Sequence, residues 1–415
     1  MPSLSDKLKA LGVHVGAQNL SAPTSRLKHP IEKVIEGEYR ETPFGNTYIV
    51  ETYYPIEYQH GLIDLDIRSP LDLLSEWVGD QRISQISTNE YIFVDTETSG
   101  LGGGVGTFAF LIGAGRFDED GFHLSQFFLQ DPIHETAQLV ALSEFVGSRI
   151  GVVSFNGKAF DMPILNSRYT INDDLSPFKS SAHIDLLPLA RRLWRDRLSS
   201  CRLIDLEQEI LGFQRTHEDV PGWLVPSLYF DYIHTGDARP LTSVFYHNAM
   251  DIVSMAALFN HMSTLLAEPI NNALGERRDL VALGRIFQDF GDYDTAAELY
   301  SQAMAEKLPK DIWRKVLYNW SYMEKRRENL TIAVELWENA AREKEIFAHI
   351  ELAKYYEHRE KDYPQAIIWT QAALKLVKSG VISRIERHQL QPEIEHRLAR
   401  LNRKNSQIFN STTEL

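Results

Sequence analysis

Cysteine is nearly absent from this chain, whose 415 residues include only Cys201. A single thiol excludes an intramolecular disulfide and is typical of a reducing compartment. Long apolar runs are also missing, so the sequence predicts no membrane-spanning helix, and its first residues have no apolar core of a signal peptide. We therefore expect a cytoplasmic protein with no membrane partner.

Positive charge is scarce as well, because the chain has 43 Lys and Arg but 57 Asp and Glu, which gives a formal net charge of −14. Proteins that bind nucleic acid along its backbone usually neutralise phosphates with a basic surface. The negative net charge therefore argues against a protein that binds the phosphate backbone of nucleic acids in general. A local basic groove remains compatible with it, since net charge is an average over the whole molecule.

Hydrophobic patterning divides the chain into four segments. Residues 1–88 form an N-terminal extension with some strand character, including a predicted hairpin that turns at 43–46. Residues 89–268 mix strand and helix signals, residues 279–404 are helical throughout, and 405–415 are a polar tail that we expect to fray. The length is sufficient for two or three domains with a sizeable core.

The mixed segment has the pattern of an α/β sheet. Apolar β-forming runs predict strands at 91–97, 107–115, 121–129 and 150–155. The second and third flank a turn signal, which favours a hairpin, and the later strand is followed by helical patterns. A meander followed by helical crossovers predicts a mixed central sheet flanked by helices.

The helical segment contains an internal repeat. Residues 292–304, 329–341 and 362–374 superpose at offsets of 37 and 33 residues. Small residues recur where paired helices would approach closely, at Ala296, Ala333 and Ala366 and at Ala303, Ala340 and Ala373. The pattern resembles tetratricopeptide (TPR) repeats, which implies an all-α domain that binds a protein partner. Three unrelated amphipathic hairpins are the alternative.

Two carboxylates, Asp95 and Glu97, end the apolar run at 91–94. Strand residues two apart point to the same face, so these side chains should lie side by side. Each charge then raises the pKa of the other. Such a pair is expected only in open solvent or beside a compensating positive charge.

Two more acids occur at element boundaries. Asp161 is predicted to begin a helix that follows a strand, with Asn156 and Lys158 in the turn before it. His247 and Asp251 are four residues apart on a predicted helix and so share a face. Each feature has an ordinary alternative, because an Asp after a strand is often a helix cap and an exposed His–Asp pair is common.

Four converging carboxylates need positive charge, and oxygen ligands favour Mg²⁺ or Mn²⁺. Two such ions can clamp an in-line phosphoryl displacement. We expect the ligands to be Asp95, Glu97, Asp161 and Asp251. An imidazole such as His247 could accept the proton of a water near neutral pH.

The segments "FVDTETSGL", "FNGKAFDMPIL" and "YHNAMDIV" resemble, in order, three motifs of DEDD-type 3′–5′ exonucleases of the ribonuclease H-like superfamily. With "CRLIDLE" and "DVPGWLVP" they are similar to the bacterial YprB-like family, some members of which carry TPR-like tails. The resemblance implies an α/β ribonuclease H-like exonuclease domain at 89–268 and a TPR-like domain at 279–404.

The same resemblance implies a metal-dependent nuclease that acts on single-stranded DNA or RNA, with two Mg²⁺ or Mn²⁺ ions at the four acids and His247 as the general base. Tyr246 is the alternative base. His247 stands four residues before Asp251 and Tyr246 five, and four residues match one helix face better. Two alternative functions remain open: an endonuclease, or a TPR adaptor that binds nucleic acid without cutting.

Five side chains are candidate contacts to the substrate. They lie beside the second motif or in the basic segment "ARRLWRDRLSSCR": Asn156, Lys158, Arg191, Arg192 and Arg195. The arginines could track phosphates, or they could form a solvated helix face. For Trp194 a core position is favoured over base stacking.

Overall fold

A computed structural model describes residues 29–100, 106–216, 219–270, 276–380 and 382–413. The chain forms two compact units. Unit 1 comprises Met1–Ala190 and Ser200–Ala267, and unit 2 comprises Arg191–Ser199 and Glu268–Leu415. Within the described ranges, no helix combines the length and apolarity needed to cross a membrane.

Unit 1 is built on one mixed sheet. Its strands in the described residues are β1 Glu38–Thr42, β2 Gly45–Pro55, β3 Gln59–His60, β4 Ile63–Asp64, β5 Tyr91–Thr98, β6 Ala109–Asp118, β7 Gly121–Phe128, β8 Gly151–Ser154 and β9 Ala182–Asp185. Seven of them form the sheet in the order β1-β2-β7-β6-β5-β8-β9, and β3 pairs with β4 separately.

The helices of unit 1 are α1 Asp72–Val78, α2 Glu135–Val146, α3 Asp161–Ile171, α4 Leu186–Trp194, α5 Leu203–Leu206, α6 Val225–Thr235 and α7 Leu241–Ala267. A single π-helical turn, Glu207–Leu211, continues α5. The last residues of α4 belong to unit 2, which begins at Arg191.

The sheet confirms the predicted mixed α/β architecture. Strands β5, β6 and β7 are antiparallel neighbours, whereas β8 runs parallel to β5 and β9 parallel to β8. The carboxyl ends of β5, β8 and β9 therefore meet at one edge, where parallel α/β sheets place their sites. The four-residue strand β9 was not predicted.

The N-terminal extension contributes to the same sheet. Its predicted hairpin is present, with Thr42 and Gly45 as register partners across the turn. Strand β2 then pairs along its length with β7, from Tyr48 opposite Phe128 to Pro55 opposite Gly121. This part of the chain therefore covers the edge of β7 and belongs to the structure of unit 1.

Alternation along β5 divides the core of unit 1 between two faces. Ile92 and Val94 pack with residues of α2 and α3. Phe93 points the opposite way and contacts Phe259 of α7, with ring centroids 5.9 Å apart. The residues that follow on the Phe93 side, Asp95 and Glu97, are thereby aimed at α7.

Unit 2 contains the end of α4 and a set of helices that begins at Arg277. Its helices are α8 Arg277–Phe290, α9 Tyr293–Met304, α10 Lys310–Arg326, α11 Leu330–Arg342, α12 Ile346–Tyr355, α13 Tyr363–Lys378 and α14 Arg384–Thr413. The three repeated segments correspond to α9, α11 and α13, and their six aligned alanines are completely buried. A helical region follows the α/β domain as expected, while its TPR-like nature stays a prediction.

Candidate active site

The end of β5 presents two carboxylates to α7. Nδ2 of Asn248 donates to Oδ2 of Asp95 at 2.9 Å. Nε2 of His247 lies 4.0 Å from Oε1 of Glu97. Residues two apart on the strand therefore meet consecutive residues of one helix, in agreement with the predicted alternation.

The close approach of α7 depends on a glycine in the neighbouring strand. Gly113 of β6 is the register partner of Asp95. A Cβ at Gly113 would lie 2.4 Å from Oδ1 of Asn248, which no side chain could tolerate without displacement. Gln126 donates to this same Oδ1 at 2.9 Å, so the Asn248 amide is oriented with its N–H groups toward Asp95.

Asp161 approaches the strand from its other face. It is the first residue of α3, as predicted. Its Oδ1 accepts hydrogen bonds from the hydroxyl of Thr96 at 2.5 Å and from the backbone N–H of Thr96 at 3.2 Å. That N–H is available because β8 pairs with β5 only as far as Phe93.

The turn before Asp161 is shaped by Asp185 at the end of β9. The Asp185 carboxylate accepts backbone N–H groups of Asn156 at 2.7 Å and Lys158 at 3.2 Å. Asn156 adopts φ 66°, a left-handed conformation that asparagine tolerates better than most residues. Lys158 is exposed, and Asn156 is half-buried.

Helix α7 supplies the last motif. Nε2 of His247 lies 3.9 Å from Oδ2 of Asp251, so the two share a face as the spacing predicts. The hydroxyl of Tyr246 instead accepts the backbone N–H of Thr216 at 3.0 Å. His247 is thus the residue of this pair that faces the carboxylates.

Sequence reasoning missed Arg215, whose side chain is only 4% exposed. Its Nε and Nη2 donate to the two oxygens of Glu207 at 2.7 and 2.6 Å, and Nη2 also contacts Oδ1 of Asp251. Its Nη1 lies 3.0 Å from Nδ1 of His247. No periodic pattern links these residues, which are 8, 32 and 36 positions from Arg215.

Comparison with known proteins places this geometry in a family. Residues 92–263 match the family model of the RNase_H superfamily. Over 370 residues the chain is 33% identical to YprB of Bacillus subtilis (strain 168), an uncharacterized protein, with 86% of each chain covered. The chain belongs to the YprB family. The superfamily resemblance drawn from the three motifs is confirmed, and in this YprB-family chain the matched segment runs from β5 into α7.

Among solved structures, this YprB-family protein is similar to the family B DNA polymerase from the hyperthermophilic archaeon Pyrobaculum calidifontis. The TM-score is 0.31 and the sequence identity 15%. The match covers 48% of this chain and spans 29% of the polymerase chain.

Burial and nearby negative charges raise the pKa of three carboxyls of the YprB-family site. Burial raises the pKa of Asp95 well above its usual range, and the charges of Asp251, Asp161 and Glu97 raise it further. Burial also raises the pKa of Glu97 to about 7, against the attraction of His247. The pKa of Asp161 rises to about 6, since burial outweighs its hydrogen bonds from Thr96. In the absence of a further cation, the site therefore lowers its negative charge by keeping protons on these carboxyls.

The same negative charges also raise the pKa of the imidazole, but there they favour the charged form. Burial lowers the pKa of His247, but the charges of Asp251 and Glu97 and the hydrogen bond to Asp219 outweigh burial. The net effect is a pKa above the ordinary 6.5. A proton taken up by His247 would therefore be stabilised by its carboxylate neighbours.

The fit to a divalent cation can be judged from the donors. In the parts of the chain that the structure describes, no three His, Cys, Asp or Glu side chains are arranged to hold a metal ion. Protein groups instead contact one oxygen each of Asp95, Asp161 and Asp251. The donor set nevertheless fits Mg²⁺ or Mn²⁺, because it is made of carboxylate oxygens, the ligands that both ions prefer.

The part of the basic segment from Arg191 to Ser199 lies in unit 2. Arg191 and Arg195 are exposed there, and Arg192 forms an ion pair with Asp289 of the same unit. Trp194 is completely buried, which confirms the core position favoured for it. Substrate binding by Arg191, Arg192 and Arg195 stays a prediction.

Proposed function

We propose that this protein is a metal-dependent nuclease of the DEDD type, a 3′–5′ exonuclease that hydrolyses phosphodiester bonds of single-stranded DNA or RNA. One observation carries the proposal. Four buried or half-buried carboxylates and an imidazole lie close together at the carboxyl edge of the sheet in an RNase_H superfamily domain: Asp95, Glu97, Asp161, Asp251 and His247.

The cluster has the parts that phosphodiester hydrolysis needs. Two Mg²⁺ or Mn²⁺ ions held by the four carboxylates would supply positive charge at the attacking water and at the leaving oxygen. His247 accepts the proton of the attacking water at Nε2, the ring nitrogen that faces Glu97 and Asp251. These two carboxylates then stabilise the protonated ring.

Binding of the substrate is assigned to the turn beside the acids. Lys158 is exposed in the turn that precedes Asp161, and its ammonium group would contact a phosphate. Asn156, in the same turn, would donate to a phosphate or sugar oxygen. The TPR-like helices of unit 2 would bind a protein partner, since stacked helical pairs commonly present a concave surface.

A second candidate function is favoured by Arg215. Because its guanidinium contacts Asp251, the acid of the third motif already has a cation beside it. A protein that binds nucleic acid without cutting it would need no further cation beside Asp251. The presence of all four carboxylates favours hydrolysis instead.

The deciding experiment is a digestion panel of 3′-labelled single- and double-stranded DNA and RNA with Mg²⁺, Mn²⁺ or EDTA. We expect stepwise release of nucleoside monophosphates from single strands, lost in EDTA and in D95N and D251N. D120N is the matched control, because Asp120 is an exposed acid of the β6–β7 turn. Cleavage that survives in D95N and D251N would overturn the mechanism, and cleavage of a 3′-blocked strand would indicate an endonuclease. Binding without cleavage by the wild type would favour the adaptor.

A further inference from the structure

The loop that follows the π-helical turn places two charged side chains against the third motif. Arg215 reaches Asp251 and His247 from one side. Asp219 places its Oδ1 2.7 Å from Nδ1 of His247. Neither residue belongs to the predicted site, and both contact the ring on the edge opposite Nε2.

Arg215 is held rigidly by Glu207. The Glu207 side chain is completely buried, and both of its oxygens accept from the guanidinium in a bidentate pair. A bidentate pair fixes the plane of a guanidinium as well as its position. The contact to Oδ1 of Asp251 therefore orients that carboxylate and leaves Oδ2 on the side of His247.

In a neutral His247, the contacts of Asp219 and Arg215 require opposite protonation states of Nδ1. Asp219 can only accept, so its contact requires a hydrogen on Nδ1. Arg215 can only donate, so its contact at 3.0 Å requires a lone pair there. The shorter 2.7 Å contact to the carboxylate is charge-assisted and favours the Nδ1–H tautomer. In that tautomer Nε2, which faces Glu97 and Asp251, keeps its lone pair.

We propose that Asp219 and Arg215 are a positioning pair for the third motif: Asp219 keeps the His247 proton on Nδ1, and Arg215 holds Asp251. The proposal rests on the proposed function, since only a general base needs a free Nε2. An aspartate that orients a catalytic imidazole through its far nitrogen serves the same purpose in serine hydrolases. Without Asp219, His247 would favour the other tautomer, in which Nδ1 accepts from Arg215 and Nε2 carries the hydrogen.

Ring tautomers can be measured without any activity. Long-range ¹H–¹⁵N spectra of the full chain, labelled at histidine and recorded in EDTA at a pH where the ring is neutral, distinguish Nδ1–H from Nε2–H. Subtraction of the H247Q spectrum assigns His247 among the 14 histidines. We expect Nδ1–H in the wild type and in R215K, and Nε2–H in D219A. The proposal would be overturned if the His247 ring of the wild type carries its hydrogen on Nε2, or if that of D219A keeps it on Nδ1.

Kinetics on a single-stranded substrate then tests the consequence for catalysis. D219A and R215K should lower kcat by roughly 10–100-fold, as is usual for residues that orient a site, with KM nearly unchanged. R168K is the matched control, because Arg168 forms a similar bidentate pair with largely buried Glu135 elsewhere in unit 1. If R215K and R168K lose the same stability and R215K loses no more activity, Arg215 has only a structural role. If the wild type does not cut, the proposed function fails, while the spectra still decide the tautomer.

Discussion

Asn248 and Asp95 are joined by a partly buried hydrogen bond, 2.9 Å from the amide Nδ2 to the carboxylate Oδ2. Gln126 fixes the orientation of the amide by donating to its oxygen. Asn248 has no exposed surface, so this bond links the first and third motifs inside unit 1. The carboxylate of Asp95 is therefore positioned by α7 before any ligand binds.

Replacement of Asn248 by Asp should destabilise the metal-free protein. Gln126 can still donate to one carboxylate oxygen, but the other would face Asp95 and repel it. A donor lost inside a buried site costs about 1–3 kcal/mol, and more when a charge is involved. Thermal unfolding in EDTA should show a lower midpoint for N248D, and Mg²⁺ should recover part of the loss. An unchanged midpoint in EDTA would show that Asp95 does not depend on this donor.

Gly113 should tolerate no side chain. In G113A the new Cβ would displace Asn248, since the two would approach to 2.4 Å. Overpacking of this kind costs about 1–3 kcal/mol, and the displacement of Asn248 should also lower activity. G222A is the control, because a Cβ at Gly222 meets nothing within 4 Å. Equal unfolding midpoints for the two variants would contradict the close approach of α7.

The stability of the metal-free protein should depend on pH through Glu97. Its pKa rises on folding from 4.5 to about 7, so the native state binds more protons than the unfolded state between these values. The free energy of unfolding therefore falls as pH rises through this range, by up to about 1.4 kcal/mol per pH unit. The raised pKa of His247 acts in the same direction.

The comparison with E97Q isolates this effect. In EDTA at pH 8, E97Q should unfold at a higher temperature than the wild type, and the difference should shrink toward pH 5. Mg²⁺ should stabilise the wild type and have a smaller effect on E97Q. E119Q, at an exposed turn residue, should follow the wild type. A wild type as stable as E97Q at pH 8 would show that Glu97 is not strained by burial.

Much of the site could be predicted because its spacing is local. Two residues along a strand and four along a helix each define a face, and these spacings anticipated the side-by-side arrangement of Asp95 and Glu97 and that of His247 and Asp251. The start of α3 at Asp161 followed from the pattern of a strand, a turn and a helix. Such signals need no knowledge of how the elements pack.

The remaining contacts depend on tertiary packing. The polar groups that orient the acids, Asn248 and Arg215, contact residues far away in sequence, and their types are common at surfaces. The N-terminal extension supplies β2, which pairs with the edge of β7. The alternating pattern of the extension does not show with which strand it pairs. The short strand β9 was missed because its four residues lead directly into the helical pattern of α4.

The aligned alanines of unit 2 should be intolerant of larger side chains. Ala340 of α11 is completely buried in a cluster with Trp337, Leu336 and Leu352. In A340L the added atoms have no space, and we expect a loss of about 1–3 kcal/mol in the free energy of unfolding. Denaturant unfolding of the full chain measures this, with E335L as the control because Glu335 is exposed on the same helix. A303L and A373L should lose stability as well, since Ala303 and Ala373 are also completely buried, and a loss confined to A340L would contradict that packing.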